Sequence, residues 1–252
     1  MSQLTLTALP GIPMVQPGDD LIKYILQSFK KEKIILQNGD VLVLAQKIVS
    51  KAEDRRVNLA EVVPGPEAEQ LAAETEKDPR LVELILRESR GVSRQRPGLI
   101  IVEHQLGFIC ANAGIDHSNV AGTDEWVLLL PENPDRSAEQ IRAGLEQASG
   151  ARLGVLIIDS HGRAWRNGTV GVTIGLSGLP GVVDKRGEID LFGYELRVTE
   201  VGAADELAAA ASLLMGQVAE GTPVVHVRGF PYSLREASLA ELLRDPERDL
   251  YR

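Results

Sequence analysis

Residues 152–178 read RLGVLIIDSHGRAWRNGTVGVTIGLSG and contain two strand patterns on either side of a polar stretch. The first pattern, RLGVLIIDS at 152–160, has the unbroken apolar run that is typical of a strand buried on both faces. The second pattern, TVGVTIGLSG at 169–178, predicts another buried strand. Glycines punctuate the residues between them, which predicts a loop at the mouth of the first strand.

Further strand and helix patterns surround this pair. We expect strands over 4–8, 41–45 and 222–229, and two strands within 99–115 that are joined near 105–107. Helices are predicted over 21–30 with Asp20 as N-cap, 66–79, 81–88 after Asp78-Pro79, 139–148 with Ser137 and Gln140 as a capping box, 203–219, and 238–245. The apolar helix 203–219 is expected to be deeply buried. Because strands and helices interleave without the regular alternation of a Rossmann sheet or a barrel, we predict a mixed α+β fold that forms one catalytic unit over 1–252.

Length and composition exclude several classes of protein. The chain has 252 residues, of which 44% are apolar, and a single cysteine, so neither a disulfide scaffold nor a disordered chain is expected. No apolar run approaches the roughly 20 residues of a membrane span, and no signal peptide is evident, which predicts a cytoplasmic protein without a membrane partner. The net charge of −9 argues against nucleic-acid binding. An anionic ligand would therefore need a local concentration of positive charge.

The common catalytic signatures are absent from the sequence. It contains no glycine-rich phosphate-binding motif, no G-x-S-x-G, no C-x-x-C and no H-E-x-x-H. Cys110 lies in the apolar stretch FICA, where a core residue is expected rather than a nucleophile.

Acidic and small polar residues follow two of the predicted strands instead. NAGIDHSN at 112–119 offers Asp116, Ser118 and Asn119, and the stretch after 157 offers Asp159 and Ser160. Two carboxylates with hydroxyl and amide oxygens beside them suit a hard divalent cation such as Mg²⁺, which leaves its other positions to water and substrate phosphates. The alternative is that both aspartates are only caps or turn residues.

Other polar residues near these strand ends are also candidates for the site. His117 and His161 are either acid–base groups or solvated loop residues. Arg163 and Arg166 would neutralise phosphate or carboxylate charge.

Two further segments also allow two interpretations. In VLAQKIVSKAEDRR at 43–56, the basic side chains either bind phosphates or begin a solvated helix; they are Lys47, Lys51, Arg55 and Arg56. In LLMGQVAEGTP at 213–223, residues 215–217 end a helix and could be no more than its C-cap and a loop.

Together these segments resemble one family, the coenzyme F420-0:L-glutamate ligases, also called F420:gamma-glutamyl ligases. The resemblance covers roughly residues 4–230. It is carried, in the family's order, by GIPMVQPGDDL, GDVLVLAQKIVSKAEDR, NAGIDHSNV, GVLIIDSHGRAWRNGTVGVTIGLSG, DLFGYEL, ADELAAAASLLMGQ and VVHVRG.

The resemblance implies a GTP-dependent amide ligase that uses Mg²⁺ or Mn²⁺, with a requirement for K⁺ left open. The lactyl carboxylate of the deazaflavin precursor F420-0 would be activated as an acyl phosphate and then attacked by the amine of L-glutamate. Further glutamates would be added through γ-linkages. An intertwined homodimer is also expected by resemblance. Two alternatives stay open: the same chemistry on another amino acid or acceptor, and a nucleotide-binding regulatory module without catalysis.

The resemblance also implies roles for individual residues. The metal ligands would be Asp116 and Asp159, with Ser160 and Gln217 serving a second metal. The catalytic residues would be Asp116 and Asp159, with Lys51 as a phosphate contact and, on chemical grounds, Arg163 as an anion contact. The nucleotide-contacting positions would be Ile12, Pro13, Met14, Val15, Gln46, Lys47, Lys51, Asn119, Met215, Gly216, Gln217, Val218, Ala219, Glu220, Gly221 and Thr222.

Three points limit what is carried over. Some relatives have an acidic residue at the position of Gln217 and Thr at that of Ser160, so the second metal would be held with less charge. Some bacterial relatives carry a C-terminal flavin-binding domain. This chain ends at Arg252, so we expect the activity of that extension to be absent.

Overall fold

The computed structural model describes residues 3–118, 120 and 124–250. Its strands are β1 (Thr5–Ala8), β2 (Val41–Ala45), β3 (Arg56–Asn58), β4 (Ser89–Arg96), β5 (Leu99–His104), β6 (Ile109–Ala111), β7 (Trp126–Leu128), β8 (Gly154–Arg163), β9 (Arg166–Ser177), β10 (Val183–Asp184), β11 (Glu200–Val201) and β12 (Val224–Arg228). Its α-helices are α1 (Leu21–Glu32), α2 (Gln46–Ala52), α3 (Pro66–Thr75), α4 (Pro79–Arg87), α5 (Pro134–Ser149) and α6 (Ala203–Met215). Mixed sheets with interleaved helices confirm the predicted α+β class.

A five-stranded sheet in the order β1-β12-β2-β8-β9 forms the centre of the fold. Only β2 and β8 run parallel, with Ala45 opposite Ile158, whereas the other neighbouring pairs are antiparallel. The strand β2 ends at this pair, whereas β8 continues beyond it to Arg163. Gln46 and Asp159 come directly after the two paired residues, so both lie where the parallel pairing ends.

Both faces of the sheet are buried, as the unbroken apolar run of β8 predicts. On one face, Val155 and Ile157 pack in a core with residues of α1 and α5. On the other face, Leu156 and Ile158 pack in a second core with residues of α6. The alternation arises because successive side chains of a strand point to opposite faces. The sheet is thus a fixed platform for the residues that follow its strands.

Two smaller sheets bring Asp116 to the same region. The sheet β4-β5-β6 packs with α3 and α4 over a third core, and β6 leads into residues 112–116. The backbone of Asp116 then pairs with that of Leu128 through hydrogen bonds of 3.0 and 2.9 Å, beside the sheet formed by β3 and β7. Asp116 is therefore held by its backbone.

The predicted loop after Ser160 is wrong, because β8 and β9 form a long hairpin. Their pairing continues to Arg163 opposite Arg166, and Trp165 makes the turn with a φ of 65°. Residues 162–169 at this end of the hairpin are polar because they extend beyond the core and are exposed. Their polarity reflects this exposure and not a loss of strand pairing.

The predicted capping box at Ser137 is also wrong. The helix α5 begins at Pro134, and its N-cap is Asn133, whose side chain accepts a hydrogen bond from the Arg136 N–H. Proline suits the first helical position because its φ is already fixed near the helical value. Ser137 lies one turn inside and donates to the Asn133 carbonyl at 3.1 Å. By contrast, the predicted caps Asp20 and Asp78 are confirmed.

Other boundaries differ from the prediction towards the C-terminus. The helix α6 ends at Met215 because Gly216 has a φ of 72°, so residues 216–219 are not helical. This helix is also less buried than expected, since 83% of Leu213 is exposed. The helix predicted over 238–245 contains only a 3₁₀ turn at Leu239–Glu241.

Two further differences from the prediction concern the end of α3 and the strand β4. The helix α3 ends at Thr75, where 66–79 was predicted. The strand β4 was not predicted, since SRGVSRQR is polar and contains glycine. Such a composition is tolerated because β4 is an exposed edge strand, where packing makes few demands.

Gly175 in β9 permits a close approach of the sheet to α5. A Cβ at this position would lie 2.5 Å from the carbonyl carbon and 2.8 Å from the carbonyl oxygen of Pro134, and both are backbone atoms that cannot rotate away. We expect Gly175→Ala to lower the free energy of unfolding by about 1–3 kcal/mol, because the helix must shift. Urea unfolding measures this change. Gly91→Ala is the control, since that position has open space, and an equal effect of both variants would contradict the prediction.

Candidate functional site

A pocket of about 390 Å³ lies where the parallel pairing of β2 with β8 ends. Four segments of the chain line it: 12–15, the start of α2, residues 158–160 in the middle of β8, and the end of α6 with its connection to β12. The predicted site residues among its lining are Ile12, Pro13, Met14, Val15, Gln46, Lys47, Lys51, Asp159, Ser160, Met215, Gly216, Gln217, Val218, Ala219, Glu220, Gly221 and Thr222. The structure therefore brings most of the predicted residues together.

Asp116 is held against this pocket by two side chains of α2. Gln46 Nε2 donates to Asp116 Oδ2 at 2.9 Å, and Lys47 Nζ lies 3.3 Å from Asp116 Oδ1. Lys47 Nζ also donates to Ser118 Oγ at 2.6 Å. The Gln46 amide is itself oriented by Ser50, whose buried hydroxyl donates to Gln46 Oε1 at 2.8 Å.

The surroundings of Asp116 oppose its negative charge. Burial raises the pKa of its carboxyl to about 6, and the nearby charge of Asp159 adds to the increase, although Lys47 and Gln46 act in the other direction. Two carboxylates of like charge are thus close enough to repel each other at the edge of the pocket. A bound cation would relieve this repulsion.

Asp159 has a different partner. Burial disfavours its charge, but His161 Nε2 lies 3.0 Å from Asp159 Oδ2 and holds the pKa of this carboxyl below its usual value. The two residues are neighbours on one face of β8 because they are two positions apart. The His161 ring packs at a tilt against Phe108, with 5.3 Å between ring centroids. Asp159 is therefore ionised and fixed in place.

Ser160 and Gln217 connect β8 to the far side of the pocket. Ser160 Oγ donates to Gln217 Oε1 at 2.9 Å. The two side chains therefore contact each other across the pocket, and both are neutral.

Lys51 supplies positive charge to the same pocket. Its pKa is lowered by burial and by the positive charges of Lys47 and Arg56. No carboxylate in the described part of the chain pairs with its ammonium group. Two lysines in a pocket of an acidic protein form the local positive charge that an anionic ligand needs.

The remaining basic residues of the predicted cluster do not reach the pocket. Arg55 donates to Glu88 Oε2 at 2.9 Å and to the Leu130 carbonyl at 2.8 Å, which anchors the connection between α2 and β3. Arg56 lies over the Trp126 ring, 5.8 Å from its centroid. Both residues are structural in this arrangement.

The hairpin residues also lie apart from the pocket lining. Arg163 is exposed and donates to the Gly168 carbonyl at 3.1 Å. Arg166 and His117 are exposed as well. Asn119 is outside the described residues, and Cys110 is buried, as expected of a core residue.

Ser50 is a residue that sequence reasoning missed. It lies four positions after Gln46 in α2, a spacing that places two side chains on the same helix face. Recognising the helix over 46–52 would have found the pair. The short polar stretch did not reveal that helix.

His104 is buried beside this region and gives the protein a pH-dependent stability. Its ring stacks on Phe108, and burial, followed by the charges of His161, Arg55 and Arg90, lowers its pKa to about 4. The unfolded chain therefore binds a proton more readily, so stability should fall as the pH drops from about 6.5 towards 4. Urea unfolding between pH 7 and 4 measures this slope.

The carboxylates of the protein also titrate in this range, so a variant isolates the histidine. In the wild type, His104 Nδ1 accepts a hydrogen bond from the Leu106 N–H at 3.0 Å. His104→Asn keeps an acceptor for this N–H. We expect the variant to lose part of the dependence on pH. Parallel curves for both proteins would contradict the assignment.

Among the residues that the structure describes, no three or more His, Cys, Asp or Glu side chains form a ready-made metal site. A cation in this pocket would therefore need oxygens from other groups. None of the described helices has both the length and the apolar character that a membrane crossing requires.

Comparison with known proteins gives a consistent result. The sequence pattern of the F420-0:Gamma-glutamyl ligase family matches residues 11–229. The coenzyme F420:L-glutamate ligase of Methanothermobacter thermautotrophicus is 46% identical over 251 residues, covering 99% of this chain and 99% of the relative. The proteins of the same name from Methanopyrus kandleri and Archaeoglobus fulgidus are 45% and 41% identical, over 99% and 96% of this chain and 98% and 94% of theirs.

Proposed function

The chain belongs to the F420-0:gamma-glutamyl ligase family, and we propose from this that it joins L-glutamate to coenzyme F420-0 with GTP as the energy source. One arrangement supports this function above all. Asp159, Lys47 and Lys51 line one pocket where the parallel pairing of β2 with β8 ends, and Asp116 lies beside it against Lys47. Phosphoryl transfer requires both kinds of group: oxygens to hold a metal, and cations to stabilise the charge of the phosphates.

The residues present fit a divalent metal. Asp116 and Asp159 are close enough for the charge of one to raise the pKa of the other, which a cation between them would offset. Mg²⁺ and Mn²⁺ accept one or two carboxylates together with neutral oxygens, water and phosphates. We propose that Asp116 and Asp159 hold one metal and that Ser160 and Gln217 serve a second. The metal would supply charge neutralisation at the transferring phosphoryl group.

The nucleotide would lie between the two lysines and the loops of the pocket. Lys51 has no carboxylate partner in the described chain and is the proposed phosphate contact. Lys47 is already engaged by Asp116 and Ser118, so its first role is to orient Asp116. Residues 12–15 and 215–222 would enclose the rest of the nucleotide. Because Arg163 is outside the pocket, its proposed contact is with the acceptor and not with the nucleotide.

The proposed reaction has two steps. A carboxylate oxygen of the F420-0 lactyl group attacks the γ-phosphorus of GTP, which forms an acyl phosphate and releases GDP. The neutral amine of L-glutamate then attacks the acyl carbon, which forms the amide; the nitrogen loses one proton to solvent, and phosphate leaves with the electrons of the broken C–O bond. Repetition on the γ-carboxylate of the added residue would give the γ-linked tail.

A homodimer is proposed as the working form. The segment containing β10 and β11 extends from the fold, and Leu191 and Phe192 near its tip are 98% and 96% exposed. Large apolar side chains in such a position are typical of a protein interface. We infer that a second copy of the chain covers them, which light scattering of the purified protein would test.

A complete reaction tests the proposed function. Purified protein is incubated with F420-0, L-glutamate, GTP and Mg²⁺ or Mn²⁺, and the products are analysed by mass spectrometry. We expect products longer by glutamyl units, with one GDP and one phosphate released for each. A panel of amino acids tests the alternative acceptor, and the absence of any mass increment would contradict the proposal. GTP binding without phosphate release would instead favour the regulatory module.

A further inference from the structure

Residues 216–221, in the connection between α6 and β12, form one wall of the pocket. We call this segment the 216–221 loop. It begins at Gly216, whose φ of 72° and ψ of −176° stop the helix, and only glycine adopts this conformation readily. The loop carries Gln217 into the pocket, opposite Ser160.

The side chain of Glu220 folds back over its own loop. Its Oε2 accepts a hydrogen bond from the Val218 N–H at 2.9 Å. The N–H groups of Glu220, Ala219 and Gln217 also contribute, after that of Val218, to a lowered pKa of the Glu220 carboxyl. Successive backbone N–H groups that face one anion form a concave binding site, here filled by a carboxylate of the same loop.

Gly216 provides the space for this arrangement. A Cβ at residue 216 would overlap the carboxylate of Glu220, so the side chain can take its position only above a glycine. The position of the Glu220 side chain therefore depends on the glycine. The positive φ of Gly216 and the folded side chain of Glu220 are parts of one local structure.

The base of the loop is closed separately. Thr222 Oγ1 donates to the carbonyl oxygens of Leu214 at 3.2 Å and Met215 at 3.3 Å, which satisfies the C-terminal end of α6. With Thr222 at the base and Glu220 across the middle, few conformations remain for the residues between them. Gln217 is thereby directed towards β8.

We propose that Glu220 is a positioning residue whose carboxylate holds the 216–221 loop in the shape that places Gln217 opposite Ser160 before a nucleotide arrives. This inference rests on the proposed function, because the ligand in question is GTP with its metal. A loop that is already ordered loses less conformational entropy when it binds, and so binds more tightly. The resemblance places Glu220 among direct nucleotide contacts, whereas here it acts through the backbone of its loop.

The same geometry allows an opposite effect that an experiment can distinguish. If the carboxylate only filled the place of a phosphate, it would compete with GTP. Removing the side chain would then strengthen binding. If it holds the loop, removal weakens binding.

Three variants separate these effects. Glu220→Ala removes the carboxylate, and Glu220→Gln keeps one carbonyl acceptor. Glu206→Ala is the matched control, because it removes the same exposed side chain from α6, away from the pocket lining. The first measurement is backbone amide hydrogen exchange of the protein without nucleotide. We expect faster exchange at residues 217–221 in Glu220→Ala, a smaller increase in Glu220→Gln and none in the control.

The second measurement is GTP binding by calorimetry in the presence of Mn²⁺. We expect Glu220→Ala to weaken binding about tenfold or more, as removal of residues that orient a ligand site does, while the midpoint of thermal unfolding stays unchanged. Glu220→Gln should recover part of the loss. In ligation assays, the KM for GTP should rise more than kcat falls.

The outcomes distinguish this inference from the proposed function. Unchanged exchange in Glu220→Ala, or tighter GTP binding, would overturn the positioning role. A wild-type protein that does not bind GTP would contradict the proposed function. The exchange measurement still tests Glu220 in that case, because it involves no nucleotide.

Discussion

Replacing Asp159 by asparagine should reduce glutamate ligation by about 10³-fold or more while the protein stays folded. The amide has nearly the same shape as the carboxylate, so packing at the end of β8 should be retained. It lacks the negative charge that a divalent metal requires. It also changes the contact with His161, whose Nε2 lies 3.0 Å from Asp159 Oδ2. Loss of several kcal/mol of transition-state stabilisation corresponds to this reduction in rate.

The measurement is the rate of product formation at saturating GTP, Mn²⁺ and F420-0. Mn²⁺ binding followed by electron paramagnetic resonance gives a second readout that needs no turnover. Asp245→Asn serves as the control, because Asp245 is an exposed aspartate near the C-terminus and outside the pocket lining. Full activity with unaltered Mn²⁺ binding in Asp159→Asn would remove this residue from the proposed metal site.

The parts of the fold that could be predicted are those governed by local chemistry. The unbroken apolar run of 154–158 predicted a strand buried on both faces, and Asp20 and Asp78 predicted the starts of their helices. In the two caps the decisive hydrogen bond lies within three residues, and in the strand the pattern itself lies within one short segment. Exposed polar strands were harder to predict, because β4 and the end of the β8–β9 hairpin have no apolar pattern that would indicate a strand.

The candidate site required long-range information. Asp116 and Gln46 are 70 positions apart, and their hydrogen bond exists because the backbone of Asp116 pairs with Leu128 beside β3. No local pattern shows that pairing. The resemblance grouped Lys51 with the residues around the pocket, whereas Arg163, which was assigned on chemical grounds, does not line it. Nor did it reveal that Glu220 contacts its own loop.

Asp40 offers the largest expected effect on stability, because it is a buried charge shared by three partners. Only 1% of this residue is exposed. It lies 2.9 Å from His226 Nε2, and it accepts hydrogen bonds from Arg228 Nε at 2.9 Å and from the Gln37 N–H at 2.9 Å. The carboxylate thus joins the start of β2 to β12 in the central sheet.

We expect Asp40→Asn to lower the free energy of unfolding by about 3 kcal/mol or more, because Arg228 would lose the charge that compensates it. The measurement is urea unfolding at pH 7. The control is Asp184→Asn. We expect only a small change in its free energy of unfolding, because the ion pair of Asp184 with Arg186 is exposed to water. An equally small change in Asp40→Asn would show that the buried contacts contribute little.

The dependence on pH provides an independent check of the same residue. Burial alone would raise the pKa of Asp40, but hydrogen bonds from Arg228 and His226 hold it far below its usual value. A carboxyl with a lowered pKa in the folded state stabilises the protein above its unfolded pKa of about 4, and this contribution is lost as the pH falls through the folded pKa. The difference between wild type and Asp40→Asn should therefore be constant from about pH 5 to 7 and should shrink below about pH 4. A difference that instead grows on acidification would mean that Asp40 is protonated in the folded protein.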